Sequence, residues 1–166
     1  MIHIASEKSA STLSNVSTTD IQPNAVDLKV SKILRISYNE FTIDEEQKIH
    51  RGFENVEVQE DGYWNLSPGS YEVVMENIIE VGEGEAGFVI TRSTLNRNGV
   101  HITTGLYDSG YHGSMAAVLH VNCGVMRIKP GTRIGQYLSF KSETLSLYDG
   151  DYGLTKEHDQ KYSLAN

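Results

Sequence analysis

The sequence predicts an all-β domain, and three observations carry that prediction. Seven short segments, most of them rich in Val, Ile or Thr, follow one another: AVDLKVSKILRI, SYEVVMENIIEV, AGFVITR, GVHITTGLY, MAAVLHVN, GVMRIKPG and RIGQYLSF. Gly, Pro, Asn or Asp separates many of them, which is typical of a sandwich or a barrel. Fifteen glycines suit many tight turns, and helical periodicity is weak.

The chain divides by composition into one domain with two polar ends. Its 166 residues are enough for one hydrophobic core, which we assign to residues 21–147. Residues 1–20 are rich in Ser and Thr, so we expect a mobile or loosely docked N-terminal arm. Residues 148–166 form a C-terminal arm whose aromatics and lysines lack core periodicity. This arm is either a disordered end or a shortened lid that closes over a site.

Two segments inside the domain differ from the strand pattern. Residues 93–98 are the best candidate for a short helical turn, and residues 53–65 are expected to form a hairpin or an excursion.

Composition also excludes several classes of function. A formal net charge of −8 argues against a general nucleic-acid surface, because phosphate tracking needs clustered Lys and Arg. No stretch is apolar for long enough to span a membrane, and the N-terminus lacks a signal-peptide pattern, so we expect a cytoplasmic protein. Cys123 is the single cysteine. This rules out an intrachain disulfide framework and the cysteine-rich site of the zinc-dependent nucleotide deaminases.

The first candidate site residues are Arg92 and Ser93, which follow the apolar run AGFVI and therefore stand at the end of a buried strand. A guanidinium fork, a hydroxyl and a backbone N–H together suit phosphate oxygens. The alternative is an Arg paired with a local carboxylate and a Ser that caps a short helix.

A carboxylate that acts on water is the second candidate. Asp108 lies in GLYDSGYHG, between an apolar pair and a Ser-Gly turn, where it could orient a water for attack on phosphorus or carbon. Tyr111, three residues later, suits stacking on a sugar or a base. A β-turn whose Asp bonds its own backbone explains the same residues.

Two further polar residues sit in the strand pattern. Asp27 follows a Pro-Asn turn at the start of a strand, which alone is ordinary turn chemistry. Gln136 lies inside an apolar strand, so its amide serves either a ligand or a neighbouring loop.

The histidines do not form a convincing site. His101, His112 and His120 lack the close spacing of a ligand pair, so we expect no protein metal site. A triad of Ser93, His101 and Asp108 lacks a nucleophile elbow around the serine.

In order, these blocks resemble the trimeric dUTPase and dCTP deaminase superfamily over residues 21–162. IQPNAVDLKV looks like the first motif, TRSTLNRNG the second, HITTGLYDSGYHG the third and KPGTRIGQYLSF the fourth. The resemblance implies a distorted jelly-roll β-barrel that forms a homotrimer, with active sites at subunit interfaces.

The resemblance also implies roles for residues. Asp108 would be catalytic and position the attacking water, and Tyr111 would pack on deoxyribose. Asp27 would organise the site by holding the residues that contact the substrate. The substrate would be a deoxypyrimidine triphosphate, and Mg²⁺ would arrive on its phosphates. The other implied substrate-binding residues are Arg92, Ser93, Thr94, Gly99, His101, Thr103, Thr104, Gly105 and Gln136, and in the C-terminal arm Tyr152, Lys161 and Tyr162.

Position 118 decides between the two chemistries of the superfamily. The deaminase branch has a Glu in the strand after the third motif, whereas that strand here reads SMAAVLHVN with Val118. Deamination needs a proton shuttle that Val cannot supply. Phosphate hydrolysis needs cationic donors, a metal-bound triphosphate and one carboxylate that aims water. We therefore expect hydrolysis of dUTP to monophosphate and pyrophosphate.

Three alternatives stay open. The C-terminal arm stops at SLAN without the Gly-rich end of the superfamily, which is compatible with a catalytically weak trimer that binds nucleotide or a protein partner. A deaminase that uses another acid is the second alternative. The third, a generic β-sandwich domain, explains the strands but not the four ordered blocks.

Overall fold

The computed structural model describes residues 1–164, apart from the side chains of residues 161, 163 and 164. The elements in chain order are β1 (Thr12–Leu13), a 3₁₀ helix (Thr18–Asp20), β2 (Val26–Ile36), β3 (Thr42–Ile43), β4 (Lys48–Ile49), β5 (Phe53–Asn55), β6 (Trp64–Leu66), β7 (Gly69–Glu80), β8 (Glu85–Thr91), α1 (Ser93–Arg97), β9 (Val100–Thr103), β10 (His112–Val121), β11 (Met126–Ile128), β12 (Arg133–Lys141) and α2 (Glu157–Leu164). The short helix α1 lies where the sequence predicts a helical turn.

The long strands form one antiparallel sheet in the order β8-β12-β2-β7-β10-β9, with β1 added to β7 and β5 added to β2. The two ends of this sheet meet, because Gly87 and Tyr107 form a β-bridge. Thr91 Oγ1 also accepts a hydrogen bond from the Ile102 amide at 2.7 Å. The sheet therefore nearly closes on itself, and the prediction of an all-β barrel is confirmed.

Alternation of side chains along the strands builds the core. In β10, Met115, Ala117, Leu119 and Val121 are buried, while the residues between them face the other side of the sheet. The largest apolar and tyrosine side chains that are almost fully buried elsewhere are Leu28, Ile33, Leu66, Tyr71, Ile79, Ile134 and Tyr137. The alternation leaves the half-buried residues of β10 free to form the floor of a site.

Two small sheets lie outside the barrel path. The predicted excursion over residues 53–65 begins with β5, which pairs with β2, and leads into β6, which pairs with β11. Strands β3 and β4 pair only with each other.

Residues 1–20 lie against the barrel, which differs from the loosely docked arm that their composition suggests. Ile2 forms a β-bridge with Ser139, and β1 pairs with β7. The anchor is the buried carboxylate of Glu85, which accepts hydrogen bonds from the hydroxyls of Ser9 (2.8 Å) and Ser11 (2.6 Å). The hydroxyl groups that make the segment polar are therefore the groups that attach it.

The C-terminal arm runs back over the loop between β9 and β10. The Tyr148 amide donates to the Ser109 carbonyl at 2.8 Å, and the Leu154 amide donates to the His112 carbonyl at 3.1 Å. These two hydrogen bonds hold the arm against the loop between β9 and β10. No helix within residues 1–164 is both long and apolar enough to cross a membrane.

Candidate active site

A cavity of about 680 Å³ lies between the barrel and the C-terminal arm. We call it the hairpin cavity, because one wall is the chain that leaves β9 and returns into β10. Its volume is within the range of small-molecule sites. Six of the predicted substrate-binding residues line it: Thr103, Thr104, Gly105, Tyr111, Tyr152 and Tyr162. The third block and the C-terminal arm, which are far apart in sequence, therefore meet at one site.

Tyr111 is held rigidly in the wall of the hairpin cavity. Its hydroxyl donates to the Ser114 carbonyl at 2.9 Å, and its ring packs edge-on against Tyr148 with centroids 5.3 Å apart. A Cβ at Gly113 would lie only 2.4 Å from the Tyr111 hydroxyl oxygen, so glycine is required there for this ring position. Burial, reinforced by the negative charge of Asp159, raises the pKa of Tyr111, so the phenol stays neutral.

The floor of the hairpin cavity contains Val118 together with a carboxylate from the neighbouring strand. Val118 of β10 pairs with Thr103 on one side and with Glu72 of β7 on the other. All three residues line the cavity. Glu72 is only 9% exposed, and it accepts a hydrogen bond from the Tyr162 hydroxyl. The floor thus has an acid beside position 118, although the strand that carries Val118 has none.

The C-terminal arm supplies a mixed aromatic and acidic wall. Tyr152 lies edge-on to His158 with ring centroids 4.5 Å apart, and both line the hairpin cavity. Asp159 of α2 lines it too and is 6% exposed. The proposed contact of Lys161 with phosphate falls on a side chain outside the described part of the chain.

A second group of predicted residues gathers around Asp27, which is almost completely buried. Gln136 is the register partner of Asp27 between β12 and β2, and its amide donates to Asp27 Oδ1 at 3.0 Å. Arg92 Nη2 lies 3.4 Å and Arg133 Nη1 3.7 Å from Asp27 Oδ2. We call these four residues the Asp27 cluster. Arg92 does pair with a carboxylate, as the alternative interpretation has it, but that carboxylate is another predicted site residue.

Arg133 belongs to the Asp27 cluster but was not predicted from the sequence, although it lies three residues before Gln136 in the fourth block. It links the Asp27 cluster to Asp20, because Arg133 Nε lies 3.0 Å from Asp20 Oδ1. Burial by itself raises the pKa of Asp20, but hydrogen bonds from Lys29 and Ser17 outweigh it and lower the pKa to about 2. Among the described side chains, three cations thus face two carboxylates, and the excess positive charge suits an anion.

Asp108 lies at the mouth of the hairpin rather than in its wall. It is exposed and is not one of the described residues that line the hairpin cavity. Its carbonyl accepts a hydrogen bond from the Tyr111 amide at 3.0 Å, which is the turn geometry that the Asp-Ser-Gly sequence predicts.

The other predicted residues lie apart from the hairpin cavity. Ser93 and Thr94 are exposed in the first turn of α1, and Gly99, with φ +70°, follows the C-cap residue Asn98 of that helix. His101 stacks on His120 with ring centroids 4.6 Å apart. Burial, together with the neighbouring His101, lowers the pKa of His120.

The fold is a β-barrel of the dUTPase type. A model of the dCTP deaminase-like family matches residues 2–142, so the chain belongs to that family. The matched region includes the N-terminal segment that packs on Glu85 and stops before the C-terminal arm.

Similar curated proteins come from archaea. The chain is 35% identical over 135 residues to a probable deoxyuridine 5′-triphosphate nucleotidohydrolase of Aeropyrum pernix, which covers 80% of this chain and 84% of that protein. A protein of the same name from Methanopyrus kandleri is 33% identical over 135 residues, with 80% and 86% covered.

Solved structures share the fold at low sequence identity. The 2′-deoxycytidine 5′-triphosphate deaminase from Agrobacterium tumefaciens superposes with a TM-score of 0.60 at 12% identity, covering 78% of this chain and 42% of that one. Native EIAV dUTPase superposes with a TM-score of 0.54 at 14% identity, covering 86% and 95%.

Proposed function

We propose that the protein hydrolyses dUTP to its monophosphate and pyrophosphate. One observation carries the proposal: a nucleotide-sized cavity brings the hairpin residues Thr103 to Gly105, Tyr111 and the aromatics of the C-terminal arm to one place. The archaeal relatives named as probable nucleotidohydrolases of deoxyuridine triphosphate support it.

In this proposal the hairpin cavity binds the nucleoside. Backbone groups of residues 99–105 read the pyrimidine edge, and Tyr111 packs on deoxyribose, where its buried ring disfavours a 2′-hydroxyl. Asp108 orients the attacking water, because an exposed carboxylate at the mouth of the hairpin is free to bind water next to the phosphate chain.

The phosphates then require a neighbouring subunit. None of the residues of the Asp27 cluster is among the described residues that line the hairpin cavity of the same chain. We therefore propose a homotrimer in which Arg92 and Ser93 of one subunit hold the phosphates of a nucleotide bound in the hairpin cavity of the next. Gln136 and Asp27 support these contacts.

Mg²⁺ fits this site as a companion of the triphosphate. Within residues 1–164 no group of three or more His, Cys, Asp or Glu is arranged to hold a metal ion. Mg²⁺ keeps several waters and favours phosphate oxygens, so the Gln136 amide would hold its waters, and the buried Asp27 carboxylate would hold that amide in place. The ion would neutralise part of the negative charge of the phosphates.

The cytoplasmic location and the domain limits at residues 20 and 147 remain predictions beside this proposal.

The test is turnover by the purified protein with Mg²⁺. We expect pyrophosphate from dUTP, and we expect Asp108→Asn to abolish it, while the exposed Asp149→Asn keeps normal rates. Failure to release pyrophosphate from any pyrimidine deoxynucleoside triphosphate contradicts the proposal. Calorimetric binding of nucleotide without turnover would instead identify a nucleotide-binding module.

Deamination of dCTP is a second candidate, because Glu72 lies directly across from Val118 in the cavity floor. An acid there could carry the proton between water and the leaving ammonia. Release of ammonia from dCTP that is lost in Glu72→Gln and kept in Glu80→Gln would establish it. Glu80 is an exposed acid at the end of the same strand β7 and provides the matched control.

A further inference from the structure

Two histidines whose side chains have no role in the proposed reaction lie face to face on the sheet. His101 of β9 and His120 of β10 are register partners, and their rings stack with centroids 4.6 Å apart and an interplanar angle of 22°. Both side chains are half-buried, so solvent reaches the pair. Neither is among the described residues that line the hairpin cavity. The pair is therefore a feature of the barrel surface, separate from the candidate active site.

The hydrogen bonds around the two rings suit metal ligands. His101 Nδ1 lies 3.1 Å from Asn122 Nδ2, and His120 Nδ1 lies 3.1 Å from Ser70 Oγ. The hydroxyl can accept an Nδ1 proton, and so can the amide once it turns its oxygen to the ring. Each histidine then has a lone pair on Nε2, and a metal-bound imidazole usually makes such a second hydrogen bond. The contact of Thr103 Oγ1 with His120 Nε2 is long, at 3.4 Å, so an ion can replace it.

The spacing of the rings also suits a shared ion. An imidazole nitrogen lies about 2 Å from a bound Zn²⁺, so two rings on one ion have centroids about 4.5–5 Å apart. A rotation of the side chains that opens the angle between the ring planes would direct both Nε2 atoms to the ion. Strand register, rather than spacing along the chain, brings His101 to His120. The sequence alone therefore indicated no pair of metal ligands.

We propose that His101 and His120 form a two-histidine site for a divalent transition-metal ion such as Zn²⁺, with water in the remaining positions. Imidazole suits Zn²⁺, Cu²⁺ and Ni²⁺, whereas Mg²⁺ prefers oxygen, so this site is distinct from the Mg²⁺ that accompanies a triphosphate. Structural zinc sites have four protein ligands, so two ligands give weaker and reversible binding. Because the ligands come from neighbouring strands, the bound ion would cross-link β9 to β10 and stabilise the folded state.

The experiment is calorimetric titration with Zn²⁺ at about pH 7.5, where an ordinary imidazole is neutral. We expect one ion per chain in wild type, and a Kd at least about tenfold higher in His101→Gln and in His120→Gln, since each variant loses one of two ligands. His112, an exposed histidine on the same strand β10, gives the matched control His112→Gln, which should keep the wild-type Kd. Cys123→Ser should also keep it, because the exposed thiol is not a ligand of the proposed site. Mg²⁺ in place of Zn²⁺ should not bind to the pair.

The urea midpoint is a second readout. An ion that binds only the folded state raises the midpoint, so Zn²⁺ should raise it in wild type but not in His101→Gln or His120→Gln. Wild type that binds no Zn²⁺, or variants of the pair that bind it as tightly as wild type, would overturn the proposal.

The hairpin cavity contains another pair of histidine rings, His50 and His158, with centroids 5.3 Å apart. His50→Gln should therefore keep the wild-type Kd for Zn²⁺, and a loss of binding in this variant would place the ion in the cavity and overturn the proposal. If the variants at positions 101 and 120 fail to fold, electron paramagnetic resonance of Cu²⁺ bound to His50→Gln counts the imidazole nitrogens on the ion. Two nitrogens support the site, and one or none overturns it. Neither result bears on hydrolysis of dUTP, which is measured without Zn²⁺.

Discussion

The carboxylate of Glu85 accepts a hydrogen bond from the hydroxyl of Ser11 at 2.6 Å, although 74 positions separate the two residues in sequence. The same carboxylate also receives the Ala10 amide at 2.9 Å and the Lys141 ammonium at 2.6 Å. Glu85 is fully buried, so these donors replace the water that a carboxylate would otherwise require. The contact joins the N-terminal segment to both β8 and β12.

Replacement of Glu85 by Gln should therefore destabilise the barrel. The amide keeps the size of the side chain but loses the charge, and it turns one acceptor into a donor that faces other donors. We expect the free energy of unfolding to fall by about 1–3 kcal/mol, measured by urea denaturation. Glu83→Gln, an exposed change two residues away, is the matched control. Equal stability of the two variants would show that the anchor contributes little.

Acid should weaken the fold through Glu85 and Asp20. Burial by itself raises the pKa of Glu85, but hydrogen bonds from Lys141 and Ser11 outweigh it and lower the pKa to about 2, from an ordinary 4.5. The pKa of Asp20 is likewise lowered, from 3.8 to about 2. Because the unfolded chain takes up these protons first, the stabilisation is present above about pH 4.5 and is lost as the pH falls towards 2. Urea midpoints measured across this window should fall, and less steeply in Glu85→Gln. If the urea midpoint of that variant depends on pH as steeply as that of wild type, Glu85 does not contribute to the loss of stability in acid.

Local patterns predicted the strands and the short helix α1, because strand alternation and turn residues act within a few positions. The resemblance carried by the order of the four blocks, rather than any local pattern, placed Asp27, Arg92 and Gln136 in one site. The position of Glu72 beside Val118 depends on which strands pair, and no local pattern contains that information. The packing of residues 1–20 on the barrel was not predicted for the same reason. A Ser-rich composition does not reveal that the buried carboxylate of Glu85 needs hydrogen-bond donors.

Gly113→Ala should weaken nucleotide binding without unfolding the barrel. The added methyl group would lie 2.4 Å from the Tyr111 hydroxyl oxygen and 3.0 Å from the Gly153 backbone, so the ring must move out of the cavity wall. We expect the Kd for α,β-imido-dUTP to rise by about tenfold, because misplaced contacts lose their binding energy. Gly52→Ala, where the methyl group meets atoms at ordinary distances of 3.6 Å or more, should leave the Kd unchanged. Normal affinity of Gly113→Ala would argue against Tyr111 as a ligand contact.

Arg92→Lys should impair turnover more than it impairs folding. Arg92 Nη1 donates to the Arg133 carbonyl at 3.3 Å while Nη2 pairs with Asp27 at 3.4 Å, and a single ammonium cannot reproduce this fork. With the fork lost, the cationic group no longer stands in a fixed position for phosphate oxygens. We expect kcat/KM for dUTP to fall by about tenfold to a hundredfold, and the free energy of unfolding to change by less than about 1 kcal/mol. Arg97→Lys on the exposed face of α1 is the matched control and should keep wild-type kinetics. If both variants turn over dUTP normally, the Asp27 cluster is a structural network and the phosphates bind elsewhere.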